Sequence, residues 1–155
     1  MGDTVREKIM QNIETTMDGI SKANDYNNDI ADVQRWRQGG NPRVNVPCIV
    51  INCGPEEKEQ SQEPLTTCML IVNIDVWIRH DEDDVPGSTD AILNSLLGDV
   101  EKALMVDITR GGYAVDTVSE RNIPFAMDEG APHAGITMDV GIHYRHKTTD
   151  PETSG

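Results

Sequence analysis

The residues best suited to chemistry form an acidic run, Asp81-Glu82-Asp83-Asp84, directly after a long apolar stretch that ends at His80. Adjacent carboxylates suit a divalent cation, because Ca²⁺ and Mg²⁺ prefer oxygen ligands. Consecutive residues at the end of a strand point in different directions, however, whereas a cation needs carboxylates that converge on one point. The glycine and later glutamate of a calcium-binding loop are also missing at the required spacing. We therefore interpret the run as a solvated acidic turn without a bound metal.

The histidines and cysteines do not form a catalytic or zinc-binding pattern. His143 and His146 would lie on opposite faces of a continuing strand, with no cysteine at the spacing of a zinc ligand. Cys48 and Cys53 would likewise point to opposite faces. The sequence has no glycine-rich phosphate loop and no Gly-x-Ser-x-Gly elbow. We predict a protein without catalytic residues, metal or cofactor; the alternative, a small metal-dependent enzyme, would use the acidic turn and His80.

The charge balance excludes several kinds of partner. The chain has 155 residues, with 27 acidic and 13 basic side chains and a formal net charge of −14. Binding to nucleic-acid phosphates or to an anionic membrane needs the opposite charge. No apolar run approaches the roughly 20 residues that a membrane helix needs, and the first residues carry acids that a signal peptide lacks. An odd number of cysteines favours reduced thiols, so we expect one soluble domain made in a cytoplasm.

The elements that must position these residues are organised around the stretch Cys68–His80. Its even positions are apolar, while its odd positions become polar towards Asp75, Trp77 and Arg79. Because side chains alternate between the two faces of a strand, the pattern predicts a long strand with one apolar face. The stretch Ile136–Arg145 shows the same alternation, so we expect the two strands to share a sheet.

Two helices are predicted from apolar residues that recur every three or four positions. The first spans Thr4–Gly19, where Thr4 and Glu7 match a capping box. The second covers Asp90–Leu104, with residues 88–90 as its candidate caps. Both stripes are wide enough to pack against one face of a sheet.

The remaining segments complete an α+β domain over residues 1–147. The order αβββαββ predicts a mostly antiparallel sheet of about five strands with two helices packed on one face. The segment Gly54–Pro64 is predicted to be a charged loop, and residues 148–155, which include no apolar side chain, to be a disordered tail. The other predicted strands are Ile30–Arg37, Val44–Ile51 and Tyr113–Val118.

This arrangement resembles the tail terminator (tail completion) proteins of long-tailed bacteriophages. The resemblance lies in the Thr4–Gly19 helix, the Pro47–Ile51 strand, the long strand to Arg79, the Asp90–Leu104 helix and the closing Val140–Arg145 strand. Proteins of that family form a hexameric ring that caps the finished tail tube, stops its growth and joins it to the head-side connector.

The resemblance implies a structural virion protein at the tail neck, made in the cytoplasm of a bacterial host. Its expected partners are further copies of itself, in a hexamer, the tail tube protein, and a head-completion or connector protein. The alternatives are another neck, head-tail joining or minor tail protein, and a monomeric adaptor domain.

The negative charge of the chain leads to a prediction about the channel of the ring. Six copies would carry a formal charge of about −84, six times −14, so DNA would pass through the channel without specific binding. The candidate acids of the lumen or channel mouth are Asp81, Glu82, Asp83 and Asp84. The candidate contacts with other subunits or partners are Trp36, Trp77, Arg79, Glu56, Glu57, Glu59 and Glu63.

Overall fold

The computed structural model describes residues 2–35, 45–62, 64–80, 86–124 and 133–155. Two α-helices and a short 3₁₀ turn at Lys22–Asn24 accompany the strands. In chain order the elements are α1 (Val5–Asp18), β1 (Asp32–Arg35), β2 (Cys48–Gln62), β3 (Leu65–Arg79), α2 (Ser88–Val106), β4 (Ala114–Pro124), β5 (His133–Lys147) and β6 (Asp150–Ser154).

The strands form one mixed sheet of six strands, which curls into a half-barrel. Five strands follow the order β1-β2-β3-β5-β4, and β6 pairs with β5 beside this path. β1 runs parallel to β2, while the other pairs are antiparallel. The predicted fold class, with about five mostly antiparallel strands in the order αβββαββ, is therefore wrong. Apolar alternation identifies a strand but does not identify the partner or direction of its pairing.

The additional strand, β6, comes from the tail that the sequence predicts to be disordered. It pairs with β5, with His146 opposite Ser154 and Lys147 opposite Asp150. Within the strand, the Asp150 carboxylate accepts hydrogen bonds from the Glu152 N–H at 3.1 Å and the Thr153 hydroxyl at 2.5 Å. The Gly155 N–H also donates to the Arg145 carbonyl of β5 at 3.2 Å. These contacts need no apolar side chain, which explains why hydrophobic periodicity does not predict the strand.

The core lies between the two helices and one face of β3 and β5. These two strands pair in continuous antiparallel register, with Cys68 opposite Tyr144 and Ile74 opposite Met138. The predicted alternation in both strands is confirmed, because their apolar rows are buried under the helices. The buried rows are Cys68, Leu70, Val72, Ile74, Val76 and Ile78 on β3, and Ile136, Met138, Val140, Ile142 and Tyr144 on β5.

The two helices begin differently. The Thr4 hydroxyl accepts a hydrogen bond from the Glu7 N–H at 3.1 Å, which confirms the predicted start of α1. α2 begins at Ser88 after Gly87, whose φ of +86° suits glycine, and no side chain caps this end. The cap predicted among residues 88–90 is therefore wrong. Neither helix in the described ranges is both long and apolar enough to cross a membrane.

The segment predicted to be a charged loop continues β2 as one arm of a long hairpin with β3. A bulge separates Cys53 from Glu56, where the register shifts. Before the bulge Ile51 opposes Ile74, and after it Glu56 opposes Leu70, so the bulge turns Glu56 towards the helix side of the sheet. Gly54 is required at this point, because a Cβ there would lie 2.8 Å from the Ile71 carbonyl oxygen.

Candidate functional site

A row of polar side chains crosses four strands on the sheet face opposite the helices. Asn52 of β2 lies opposite Asn73 of β3, Asn73 lies opposite Asp139 of β5, and Asp139 lies opposite Arg121 of β4. Asn73 and Asp139 occupy odd positions, while the buried apolar residues occupy even ones, so the strand alternation places the row on the other face. We call these four residues the polar row.

Asp139 is the centre of the polar row. Its side chain is 8% exposed, and both of its oxygens are bound. The Asn73 amide donates to one oxygen at 2.6 Å, and the Arg121 Nε donates to the other at 2.7 Å. The carboxylate is thus paired and hydrogen-bonded, which offsets much of the cost of its burial.

Asp75 lies beside the polar row, and its carboxylate has weaker hydrogen-bonding partners than that of Asp139. It accepts a hydrogen bond from the Thr137 hydroxyl at 2.7 Å, and the Asn52 amide lies at the limit of hydrogen bonding, at 3.5 Å. Burial raises the pKa of Asp75, the Thr137 hydrogen bond lowers it, and the nearby Asp139 charge raises it further. The ionised form of Asp75 is therefore less stable in the folded chain than in the unfolded chain.

The polar row does not present the geometry of a catalytic centre. Asp139 is occupied on both oxygens, and the described neighbours of Asp75 are an amide, a hydroxyl and a second acid. In the described part of the chain, no three histidine, cysteine or acidic side chains are grouped as ligands of one metal ion. The arrangement can fix the register of β3, β5 and β4, because the contacts of Asp139 with Asn73 and Arg121 join residues directly opposite one another.

Glu56 forms a second buried polar centre on the helix side. Its side chain is 6% exposed and accepts a hydrogen bond from the Tyr144 hydroxyl at 2.9 Å. Arg6 Nη1 forms an ion pair with Glu56 Oε2 at 3.1 Å, and Lys58 Nζ lies 3.7 Å from Oε1. These groups border a cavity of about 110 Å³. Glu56 therefore joins β2, β5 and the first turn of α1.

The groups around Glu56 are not activated nucleophiles. Burial, followed by the Glu56 charge, raises the pKa of Tyr144, so its hydroxyl keeps the proton that it donates. Burial also raises the pKa of Cys68, which keeps this residue in the unreactive thiol form. A structural role follows for both residues.

The structure separates the sequence-predicted contact residues. Trp77 is half-buried on the same face as Asp75, Arg79 is exposed at the end of β3, and both have interactions within the chain. Glu57 and Glu59 are exposed on β2. These residues stay predicted contacts, whereas the Glu56 carboxylate is occupied inside the chain because the bulge turns it inward. Asp81, Glu82, Asp83, Asp84, Trp36 and Glu63 lie outside the described residues.

The polar row went unrecognised at the sequence level, although part of its signal is present. Asn73, Asp75 and Asp139 all occupy odd positions of the two alternating stretches, so superposing those patterns would have placed them on one face. Arg121 could not be found in this way, because a second register shift lies between Ser119 and Arg121.

An exposed apolar edge lies at the β4 side of the sheet. β4 is the terminal strand of the described sheet path, and three of its apolar side chains are exposed: Val115 by 52%, Val118 by 42% and Ile123 by 41%. Tyr113, directly before the strand, is also exposed. We call these four residues the apolar edge. Edge strands offer unpaired backbone groups, and apolar side chains beside them favour contact with another chain.

No protein-family model matches this chain, and no curated protein sequence is significantly similar to it.

Proposed function

We propose that this chain is a structural subunit of the tail terminator ring of a long-tailed bacteriophage. In that role copies of the chain cap the finished tail tube, stop its growth and join it to the head-side connector. The proposal takes its particular identity from the sequence resemblance, and its physical support from three properties of the described structure: an open sheet edge, an acidic surface and buried polar groups that hold the fold together.

The apolar edge is the observation that carries the proposal. β4 has 11 residues and leaves one side without a described partner strand, while Val115, Val118 and Ile123 expose apolar surface along it. A long edge of this kind is an aggregation hazard in a monomer, whereas pairing with a neighbouring chain satisfies it. A head-to-tail contact that uses different surfaces on the two copies gives a closed ring when its rotation is suitable.

The charge distribution is compatible with a channel for DNA. The chain carries a formal charge of −14, and Glu57 and Glu59 are exposed on the hairpin formed by β2 and β3. Like charges repel DNA phosphates, so such a surface favours passage over binding. The acids of residues 81–84 lie outside the described residues and remain the proposed lining of the channel mouth.

The buried polar groups favour a structural protein over the metal-dependent enzyme. Both oxygens of Asp139 are bound within the chain, and Glu56 is enclosed by Tyr144 and Arg6. His80, which the enzyme alternative would use, has its Nδ1 2.8 Å from the Thr89 hydroxyl at the start of α2. That contact gives His80 a role in joining β3 to α2.

Inactivation of the gene in its phage tests the proposed function. A terminator stops growth of the tube, so its loss is expected to give overlong tubes without heads in electron micrographs. Complementation with the intact chain should restore uniform tails joined to heads. Tubes of normal length that merely fail to join heads would contradict a terminator and assign a different neck function.

A further inference from the structure

A cavity of about 300 Å³ lies between the two helices and is bordered by a fully buried arginine. Its walls come from α1, from the C-terminal end of α2 and from the connection between α2 and β4. Its lining residues include Asn12, Asp107 and Arg110.

Among the described residues, only Nη2 of the Arg110 guanidinium has a hydrogen-bond partner. Nη2 donates to the carbonyl oxygens of Leu104 and Asp107, and so caps the C-terminal end of α2. Nε and Nη1 are buried without a hydrogen-bond partner, and the side chain is 0% exposed. Capping accounts for Nη2, but it leaves the other two donors unexplained.

Asp107, the acid whose charge acts on Arg110, does not accept hydrogen bonds from these two donors. The Asp107 carboxylate accepts hydrogen bonds from the Thr109 N–H at 2.9 Å, the Thr109 hydroxyl at 2.5 Å and the Gly111 N–H at 2.8 Å. Burial lowers the pKa of Arg110, and the Asp107 charge opposes that effect. A buried cation with unpaired donors is costly, so an additional acceptor would be bound favourably.

The backbone at Arg110 has an unfavourable conformation for a residue with a side chain. Arg110 has a φ of +49°, in the left-handed region that side chains other than glycine seldom adopt. It is followed by Gly111 and Gly112 at φ +72° and +89°, where glycine meets the requirement without strain. Strain of this kind is typical of positions that serve a site rather than the fold alone.

We propose that this cavity binds a carboxylate group. A carboxylate is planar and accepts several hydrogen bonds. Its negative charge would pair with the positive charge of the Arg110 guanidinium. The Asn12 Oδ1 atom is also buried, with no hydrogen-bond partner in the described ranges, so a ligand with a donor beside its carboxylate would satisfy both Arg110 and Asn12. The carboxylate comes from a free small organic acid or from an acidic side chain of a second copy of this chain. Binding does not depend on the ring proposed above.

Nuclear magnetic resonance of the full-length ¹⁵N-labelled protein tests the proposal. The Arg110 Nε–Hε signal, assigned by its loss in Arg110→Lys, is expected to shift saturably with sodium succinate and sodium acetate. Sodium chloride at matched ionic strength should not reproduce that shift. The thermal midpoint should rise with the same acids.

The variant Asn12→Asp provides an internal carboxylate on the cavity wall. It is expected to raise the thermal midpoint at pH 7 and to abolish the response to succinate, whereas Asn12→Leu, which adds no charge beside Arg110, should retain the response. Asn12→Asp also identifies the Arg110 signal by its shift if Arg110→Lys does not fold.

Sedimentation velocity over a range of protein concentrations separates the two sources of the carboxylate. If the protein self-associates and succinate or Asn12→Asp abolishes that association, the carboxylate belongs to a second copy. If succinate gives a saturable shift without such self-association, the carboxylate belongs to a free acid. The absence of both a saturable shift and a succinate-sensitive association would overturn the proposal.

Discussion

Asn73 and Asp139 lie opposite each other on β3 and β5, and the Asn73 amide donates a 2.6 Å hydrogen bond to the Asp139 carboxylate. Arg121 binds the second Asp139 oxygen from β4 on the other side. A slip of one residue between β3 and β5 would move these groups onto the apolar face. The polar row therefore fixes the pairing that places the apolar edge of β4 on the outside of the sheet.

Replacing Asp139 should cost more stability than replacing its cationic partner. Asp139→Ala leaves Asn73 without its acceptor and is expected to lower the free energy of unfolding by about 1–3 kcal/mol. Arg121 is 70% exposed, so Arg121→Ala is expected to cost less than about 1 kcal/mol. Urea denaturation followed by circular dichroism measures both values. Equal losses in the two variants would show that the carboxylate acts only through the surface ion pair.

Replacing Asp75 should stabilise the protein, in a manner that depends on pH. The pKa of Asp75 is raised in the folded state, chiefly by burial, so the folded state binds the proton more tightly than the unfolded chain. Stability from this group therefore falls as pH rises from the unfolded pKa through the folded pKa. Asp75→Asn is expected to have a higher urea midpoint than the native chain at pH 7.

The difference between Asp75→Asn and the native chain should vanish in acid below the unfolded pKa of aspartate, where both proteins carry a neutral side chain. Glu59→Gln, which alters an exposed acid on β2, is the matched control and should not show this dependence. An Asp75→Asn midpoint below the native value throughout would mean that the ionised carboxylate supports the fold.

The bulge in β2 should tolerate no side chain at Gly54. A Cβ there would meet the Ile71 carbonyl oxygen at 2.8 Å, so Gly54→Ala is expected to destabilise by about 1–3 kcal/mol. Gly98, inside α2, has open space around it, and Gly98→Ala should stabilise by about 0.5–1 kcal/mol through helix propensity. Thermal unfolding of the two variants provides the comparison. A neutral Gly54→Ala would argue against the bulge.

Ring formation should depend on the apolar edge. Val118 is 42% exposed on β4 and Ile92 is 46% exposed on α2, so Val118→Lys and Ile92→Lys add the same charge at similar exposure. Val118→Lys is expected to reduce self-association at least tenfold while retaining the native circular dichroism spectrum, and Ile92→Lys is expected to retain association. Light scattering over a concentration series measures the effect. Equal association of both variants would place the interface elsewhere.

Local patterns in the sequence predict the parts of the fold that depend on neighbouring residues. The Thr4 cap of α1 and the buried apolar rows of β3 and β5 follow from spacing alone. β6 and the far half of β2 do not, because backbone pairing and a bulge at Gly54 create them without an apolar pattern. Strand partners and direction depend on contacts between distant segments, so the parallel pairing of β1 with β2 also stays hidden.

The sequence predicts less of the candidate sites than of the fold. Residue type and position at the outward end of an alternating strand predict Trp77 and Arg79 as contacts, whereas the polar row depends on register between strands. Arg110 had no sequence signal, because its significance comes from burial and from donors left without partners.

The mass of the assembled species tests the ring proposal most directly. Native mass spectrometry of the full-length chain, alone at increasing concentration and after release from purified tails, counts its copies. A subunit of 17.1 kDa predicts a hexamer of about 103 kDa, six times 17.1 kDa, and Val118→Lys should remove that species. A 17.1 kDa monomer at every concentration and in the material released from tails would contradict the ring.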